Sequence, residues 1–315
     1  MTTLAEKILT KSPGVCLYGI TPPKRAISDE ALRTVVEAQL ARISGLGADG
    51  LVVYDIEDES SRTDVPRPFP FLPTIDAATY ADSMLSDLGI PKIIYRPVAR
   101  FDRATFESTL RAEAKRPDER FTVLVGAPSR AAAAAGISLG DACRAARDLA
   151  PSLVVGGIAI AERHGRGFAE HDRIIAKMDQ GCRFFVTQAV YDVTATKSLI
   201  SDLAIRLERD HREPVPVVVT FSPCGSVKTL DFMQWLGIAF PRWLENDLRR
   251  SRDILEASVA LAIRIGEELF EYAREHGIPL GINVESVSVR KAEIDASVAL
   301  FGALARSLRA SPPPP

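Results

Sequence analysis

The segment Gly181–Asp192, GCRFFVTQAVYD, places a polar pair, Thr187 and Gln188, straight after the apolar run Phe184-Phe185-Val186. A primary amide at the end of a buried strand needs partners for two donors and an acceptor. A ligand with adjacent donor and acceptor edges, such as a polar heteroaromatic ring, supplies them. Glu285 poses the same problem, because it lies between Val284 and Val287 in another apolar run. A carboxylate there is paired, reached by solvent, or raised in pKa. Asn283 shares its face by strand alternation. Asp55, Glu57 and Asp58, in DIEDES, follow a third apolar run, where acids form either a solvated loop or an acid/base site. Glu162 and His164 follow a fourth. His164 and His171 match no usual metal-ligand spacing, so no metal site is expected.

These residues need elements that bring strand ends together. Short β-branched runs alternate with longer amphipathic stretches, the pattern of parallel β-α units. The expected strands are Val15–Ile20, Gly50–Tyr54, Lys92–Tyr95, Phe121–Gly126, Leu153–Ile160, Arg183–Thr187, Val215–Thr220 and Gly281–Val287. The expected helices are Asp29–Ile43, Ala77–Asp87, Arg103–Ala114, Leu139–Leu149, Glu170–Gln180, Val193–Arg209, Ser226–Leu236, Ser251–His276 and Lys291–Arg309. Eight such units read as one (β/α)8 TIM barrel over residues 1–310, with a doubly wound open sheet as the alternative. In such a barrel the site lies at the carboxyl ends of the strands. Further candidates are therefore Tyr18, Thr21, Tyr95, Arg96, Asp192, Ser222 and Ser286. The Pro-rich segment Thr63–Thr74 reads as a lid or binding loop. Ala131–Ala135 reads as a helical or loop segment, and the tail Ser311–Pro315 as disordered.

The totals agree with one such barrel. The chain has 315 residues, and a barrel commonly needs about 250. A net charge of −2 gives no reason to expect nucleic acid or an anionic membrane as partner. No stretch reaches the roughly 20 apolar residues of a membrane span. The N-terminal residues carry no secretory h-region, so a cytoplasmic protein is expected. Cys16, Cys143, Cys182 and Cys224 lie far apart, as free thiols do. Nucleophile-elbow, P-loop and dinucleotide-binding signatures are absent. A homo-oligomer stays open.

Taken in order, several segments resemble the methylenetetrahydrofolate reductase family, over roughly Val15 to Arg309. The family's E-F-F-P-P-K/R is matched by Gly19-Ile20-Thr21-Pro22-Pro23-Lys24, and its L-R-G-D by Leu124-Val125-Gly126-Ala127. Its P-E-x-H is matched by Glu162 and His164. Its A-G-A…T-Q-x-x-F/Y-D is matched by Gln180-Gly181-Cys182 and Thr187–Asp192. Ile238–Trp243 keeps the spacing of the family's I-P-x-W, and Gly281–Ser288 stands for its last strand.

The resemblance implies a barrel that reduces 5,10-methylenetetrahydrofolate with NAD(P)H, a reduced folate being its substrate. It implies folate contacts at Gln188, Thr187 and Tyr191, and cofactor contacts at Glu162, His164, Glu170 and Lys177. The departures fall on the chemistry. The family's first-strand acid corresponds to Gly19, its third-strand His to Tyr95, and its last-strand Tyr to Glu285. Val125 and Ala127 replace the Arg and Asp that help hold flavin, which puts FAD in doubt. A positioned acid is worth roughly 100- to 10,000-fold in rate. Glu285 is the expected replacement, with Asp55 or Glu57 next. A folate-dependent methyl or one-carbon transferase and a non-catalytic folate-binding barrel are the alternatives.

Overall fold

The computed structural model describes residues 2–60, 63–115, 120–127, 136–165 and 167–310. The expectations for Ala131–Ala135 and for Ser311–Pro315 lie outside them. The strands are β1 (Cys16–Ile20), β2 (Gly50–Val53), β3 (Lys92–Pro97), β4 (Phe121–Val125), β5 (Val154–Ala159), β6 (Phe184–Ala189), β7 (Val217–Phe221) and β8 (Leu280–Glu285). They form a closed barrel in sequence order, the expected (β/α)8 architecture. Arg103–Ala114, Leu139–Leu149 and Val193–Arg209 are helices with the bounds read from sequence. Each starts at a side chain that accepts an otherwise orphaned backbone N–H: Asp102 from Thr105, Ser138 from Asp141, Asp192 from Ala195. Two helices were not foreseen, Leu4–Leu9 and Arg242–Arg250. No helix among the described residues is long and apolar enough to cross a membrane.

The chain packs as two compact units. Residues 19–158 and 176–183 form one. There β2, β3 and β4 run parallel in unbroken register up to β5, with Val53 opposite Ile94 and Leu124 opposite Gly157. The Pro-rich segment is tied at its end to the turn after β1. Arg25 N–H donates to Pro73 O, Ile75 N–H to Pro23 O, and Lys24 Nζ to Leu72 O. A partly buried cationic-anionic chain runs Arg96, Glu113, Arg120, Asp82, with Arg96 Nη2 at 2.8 Å from Glu113 Oε1.

The other unit comprises residues 1–18, 159–175 and 184–315. Its core joins β6, β7 and β8 to the helices Ile254–Glu275 and Lys291–Ala310 through Phe184, Phe185, Phe221, Leu269 and Phe301. The chain's first and last strands meet here. Gly14 N–H donates to Leu280 O at 2.8 Å, and Ile282 N–H to Val15 O at 2.7 Å. Gly281 lets them approach, because a Cβ at that position would lie 2.6 Å from Val15 O and 2.9 Å from Val15 Cβ. Both obstacles belong to Val15, whose carbonyl is held by Ile282 N–H, and neither can swing away. Gly281→Ala is therefore expected to cost about 1–3 kcal/mol of stability. Chemical denaturation reads this as a lowered midpoint with an unchanged slope.

Candidate functional site

The Thr187-Gln188 pair sits on a β-bulge. Val186 pairs with Val218 and Ala189 with Thr220, so Thr187 and Gln188 together face one residue of β7, Val219. A bulge leaves a ladder bond unmade and re-aims a side chain. Here Thr187 repairs the ladder itself. Thr220 N–H donates to Thr187 Oγ1 at 2.9 Å, and Thr220 Oγ1 donates to Thr187 O at 2.7 Å. Asn283 Nδ2 on β8 donates in turn to Thr220 Oγ1 at 3.2 Å. All three residues are buried, so each strand fixes its neighbour through a polar chain.

Gln188 is half-buried and is the residue this bulge re-aims. Its Nε2 donates to Leu236 O at 2.8 Å, just past the helix Val227–Trp235. One donor is thereby met by protein, and the amide oxygen is the atom left to accept from a ligand. Tyr191 has a different task. It is buried, and its Oη donates to Ser222 O at 2.6 Å. Its ring lies 4.2 Å from that of Phe240. Burial raises its pKa well above the ordinary value. Tyr191 therefore braces the segment after β7, and Asp192 is a helix cap. Glu285 ends β8 and is half-buried, at the point where the strand gives way to the turn in which Ser286 Oγ donates to Ser288 O. Tyr18 turns outward, its Oη 2.7 Å from Ser297 Oγ on the last helix.

After β5, Glu162 is buried within the 3-10 turn Ala161–Arg163. His164 Nε2 lies 2.9 Å from Asp202 Oδ2, and its ring is 5.3 Å from that of His171. The structure thus brings together two imidazoles that sequence spacing kept apart. Glu170 and Lys177 both grip the backbone of this region. Ile160 N–H donates to Glu170 Oε1 at 3.2 Å, and Lys177 Nζ donates to Ile158 O at 2.5 Å. Both are expected cofactor contacts whose polar atoms here support the end of β5.

A second polar constellation follows β2 and β3, in the other unit. Arg100, in the 3-10 turn after β3, holds Asp55 at 2.7 Å and Glu57 at 3.8 Å. Burial raises the pKa of Glu57, the Arg100 charge opposes this, and Asp55 adds to it. Asp58 is turned away: Ser60 donates to it and lowers its pKa. The rings of Tyr54 and Tyr95 meet edge to face at 4.6 Å beside this group. Arg96 points outward to Glu113 and takes no part. Sequence reasoning missed Arg100 and Thr220. Arg100 carries no motif, and only the fold pairs it with two acids from another loop.

Two outcomes follow. Thr187→Val keeps the shape but strips the buried Thr220 N–H of its acceptor, which costs about 1–3 kcal/mol. Thr187→Ser retains the oxygen and most of the stability, and denaturant titration of both variants separates the hydroxyl from the methyl. For Glu57 the sign runs the opposite way to an ordinary ion-paired acid. A raised folded pKa means stability present below the unfolded value, about 4.3, and lost as pH rises through the folded one. Glu57→Gln removes that loss, so the variant gains on the wild type as pH rises from about 4 to neutral. Melting temperatures of the two across that range measure it.

No protein-family model matches the chain, and no curated protein matches it. Among solved structures, an uncharacterized protein from Clostridium thermocellum superposes with a TM-score of 0.84 at 43% sequence identity. The match covers 96% of this chain and 99% of that one. That protein binds two copies of 5-methyl-5,6,7,8-tetrahydrofolic acid. With that identity over nearly the whole of both chains, the chain belongs to the same family as the Clostridium thermocellum protein.

Proposed function

We propose that this barrel binds a reduced folate and acts on it as a divergent methylenetetrahydrofolate reductase. The observation that carries the binding is the likeness, along nearly the entire chain, to a protein that holds 5-methyltetrahydrofolate. Gln188 is the residue we assign to the pterin. Its position on the bulge directs an amide out of the β6–β7 ladder, with its oxygen left for a ring N–H. Thr187 and Tyr191 act through it, the first by building the bulge and the second by bracing the segment after β7.

Reduction takes one hydride and one proton. The methylene bridge between N5 and N10 opens when N10 takes a proton, leaving a methylene-iminium at N5. Hydride from NAD(P)H adds to that carbon, giving 5-methyltetrahydrofolate and NAD(P)+. The resemblance to the reductases places Gly19 where they carry their acid. Two carboxyls are our candidates for the replacement, Glu57 and Glu285. Burial keeps the Glu57 carboxyl protonated to higher pH than usual, which suits an acid. Glu285 ends a strand in the same unit as Gln188.

The residues present do not fit a flavin held in the family's manner. Val125 and Ala127 stand in place of Arg and Asp, and Glu170 and Lys177 are bonded to the backbone near the end of β5. The hydride in this reading therefore passes directly from the nicotinamide.

Loss of absorbance at 340 nm, with methylenetetrahydrofolate and NADH or NADPH, tests the reaction. Turnover is expected in the wild type, and a drop of about 100-fold or more in Glu57→Gln or Glu285→Gln identifies the acid. Calorimetry with 5-methyltetrahydrofolate tests the site separately, and Gln188→Ala should weaken binding by about 10-fold. Folate binding without nicotinamide oxidation would replace reduction by methyl transfer or simple binding. Absence of folate binding would overturn the whole reading.

A further inference from the structure

We propose that His164, His171 and Asp202 form a binding site for one divalent transition-metal ion of the zinc class. Nothing in the folate reading uses this cluster. One ligand atom from each residue lies within 4.8 Å of the others. His164 follows the 3-10 turn after β5, His171 opens the helix Glu170–Asp179, and Asp202 lies in the helix Val193–Arg209. Gly165 and Gly167 take positive φ, and Gly165 N–H donates to Phe168 O at 3.1 Å.

The hydrogen bond from His164 to Asp202 explains one ring nitrogen and leaves two others unexplained. Nδ1 of His164 and Nδ1 of His171 are both buried and have no hydrogen-bond partner. The His164 side chain is only 6% exposed. An unmet polar atom in such a place is costly, and a cation held by His164 Nε2 and Asp202 meets the second of them, His171 Nδ1.

Donors around a tetrahedral zinc ion at its usual bond lengths lie about 3.3 Å apart. His164 Nε2 and Asp202 Oδ2 are already at 2.9 Å, and the half-exposed Asp202 side chain can adjust. Two nitrogens and one oxygen suit Zn2+ or Co2+, whereas Mg2+ and Ca2+ prefer all-oxygen sets. Three protein ligands leave the remaining position to water. Arg206, one turn beyond Asp202, does not oppose the cation directly, because Asp172 and Asp210 hold it. The ion would clip the loop after β5 onto a neighbouring helix.

The test uses full-length protein stripped with a chelator and titrated with Zn2+ by calorimetry, and with Co2+ by visible spectroscopy. One equivalent of Zn2+ should bind and raise the melting temperature. Co2+ should show ligand-field absorption of imidazole-carboxylate coordination. His171→Ala and Asp202→Asn should each weaken Zn2+ binding by at least about 100-fold and abolish the Co2+ spectrum. Asp202→Asn keeps the side chain's shape on a half-exposed position, so it separates lost ligation from lost folding. His211→Ala, at an exposed turn, should leave binding unchanged. Overturning results are no single-equivalent binding in the wild type, or binding that survives both His171→Ala and Asp202→Asn.

Discussion

The reciprocal pair of hydrogen bonds between Thr187 and Thr220 is the constraint on which the candidate site rests. A bulge in a buried strand would ordinarily leave a backbone donor unmet, at a cost that a barrel core does not tolerate. Thr187 supplies the missing acceptor from its own side chain, and Thr220 returns a bond to the same residue. Because Asn283 donates into this pair, β8 takes its place by the same chain of polar contacts. The bulge thereby becomes a fixed offset, and the residue it displaces, Gln188, holds a defined direction. The polar residues of this strand end divide into Gln188, which leaves the ladder, and several that hold it still.

The other unit uses charge where this one uses hydroxyls. Arg100 is shared by Asp55 and Glu57, so two acids contend for one cation. The nearer takes the short contact. The farther is left partly desolvated, and its proton is held more tightly. The two neighbouring carboxyls sit in different environments, Asp55 in the short contact with Arg100 and Glu57 partly desolvated. The members of the acidic run DIEDES are therefore not equivalent. Asp58, three residues from Asp55, is spent on Ser60.

The strands were legible because each is a continuous apolar, β-branched run, such as Leu51-Val52-Val53 or Val217-Val218-Val219, closed off by glycine or polar residues. The helices whose ends were read correctly have capping side chains at the boundary, Asp102, Ser138 and Asp192. Arg242–Arg250 escaped because only Leu244 and Leu248 are buried in an otherwise polar segment, too few to set a period. Strand-end position brought Gln188, Asp55 and Glu57 forward as candidates, since burial at a strand terminus follows from the local run of residues. Partners did not follow. The resemblance implied a folate contact at Tyr191, but nothing in the local residues showed that its hydroxyl donates to Ser222 O. Tyr18 and Arg96 looked inward but pack against helices. Asp202 was unreadable as a neighbour of His164, because it lies on a different helix and only tertiary packing brings the two together.

The seam between Val15 and Ile282 has a consequence for how the chain is made. β1 is synthesised before the seven strands that follow it, yet the strand that donates to Val15 O is the last of the eight. Until then the carbonyls of that edge can bond only to water or to a wrong strand, the exposure that makes parallel sheets slow and prone to aggregate. Gly281 adds a stricter condition, because only a bare backbone can slide into place beside Val15. Translation order therefore leaves the edge beside Val15 waiting for β8. A chaperone that shields residues 15–18 during synthesis would protect the edge that stays open longest.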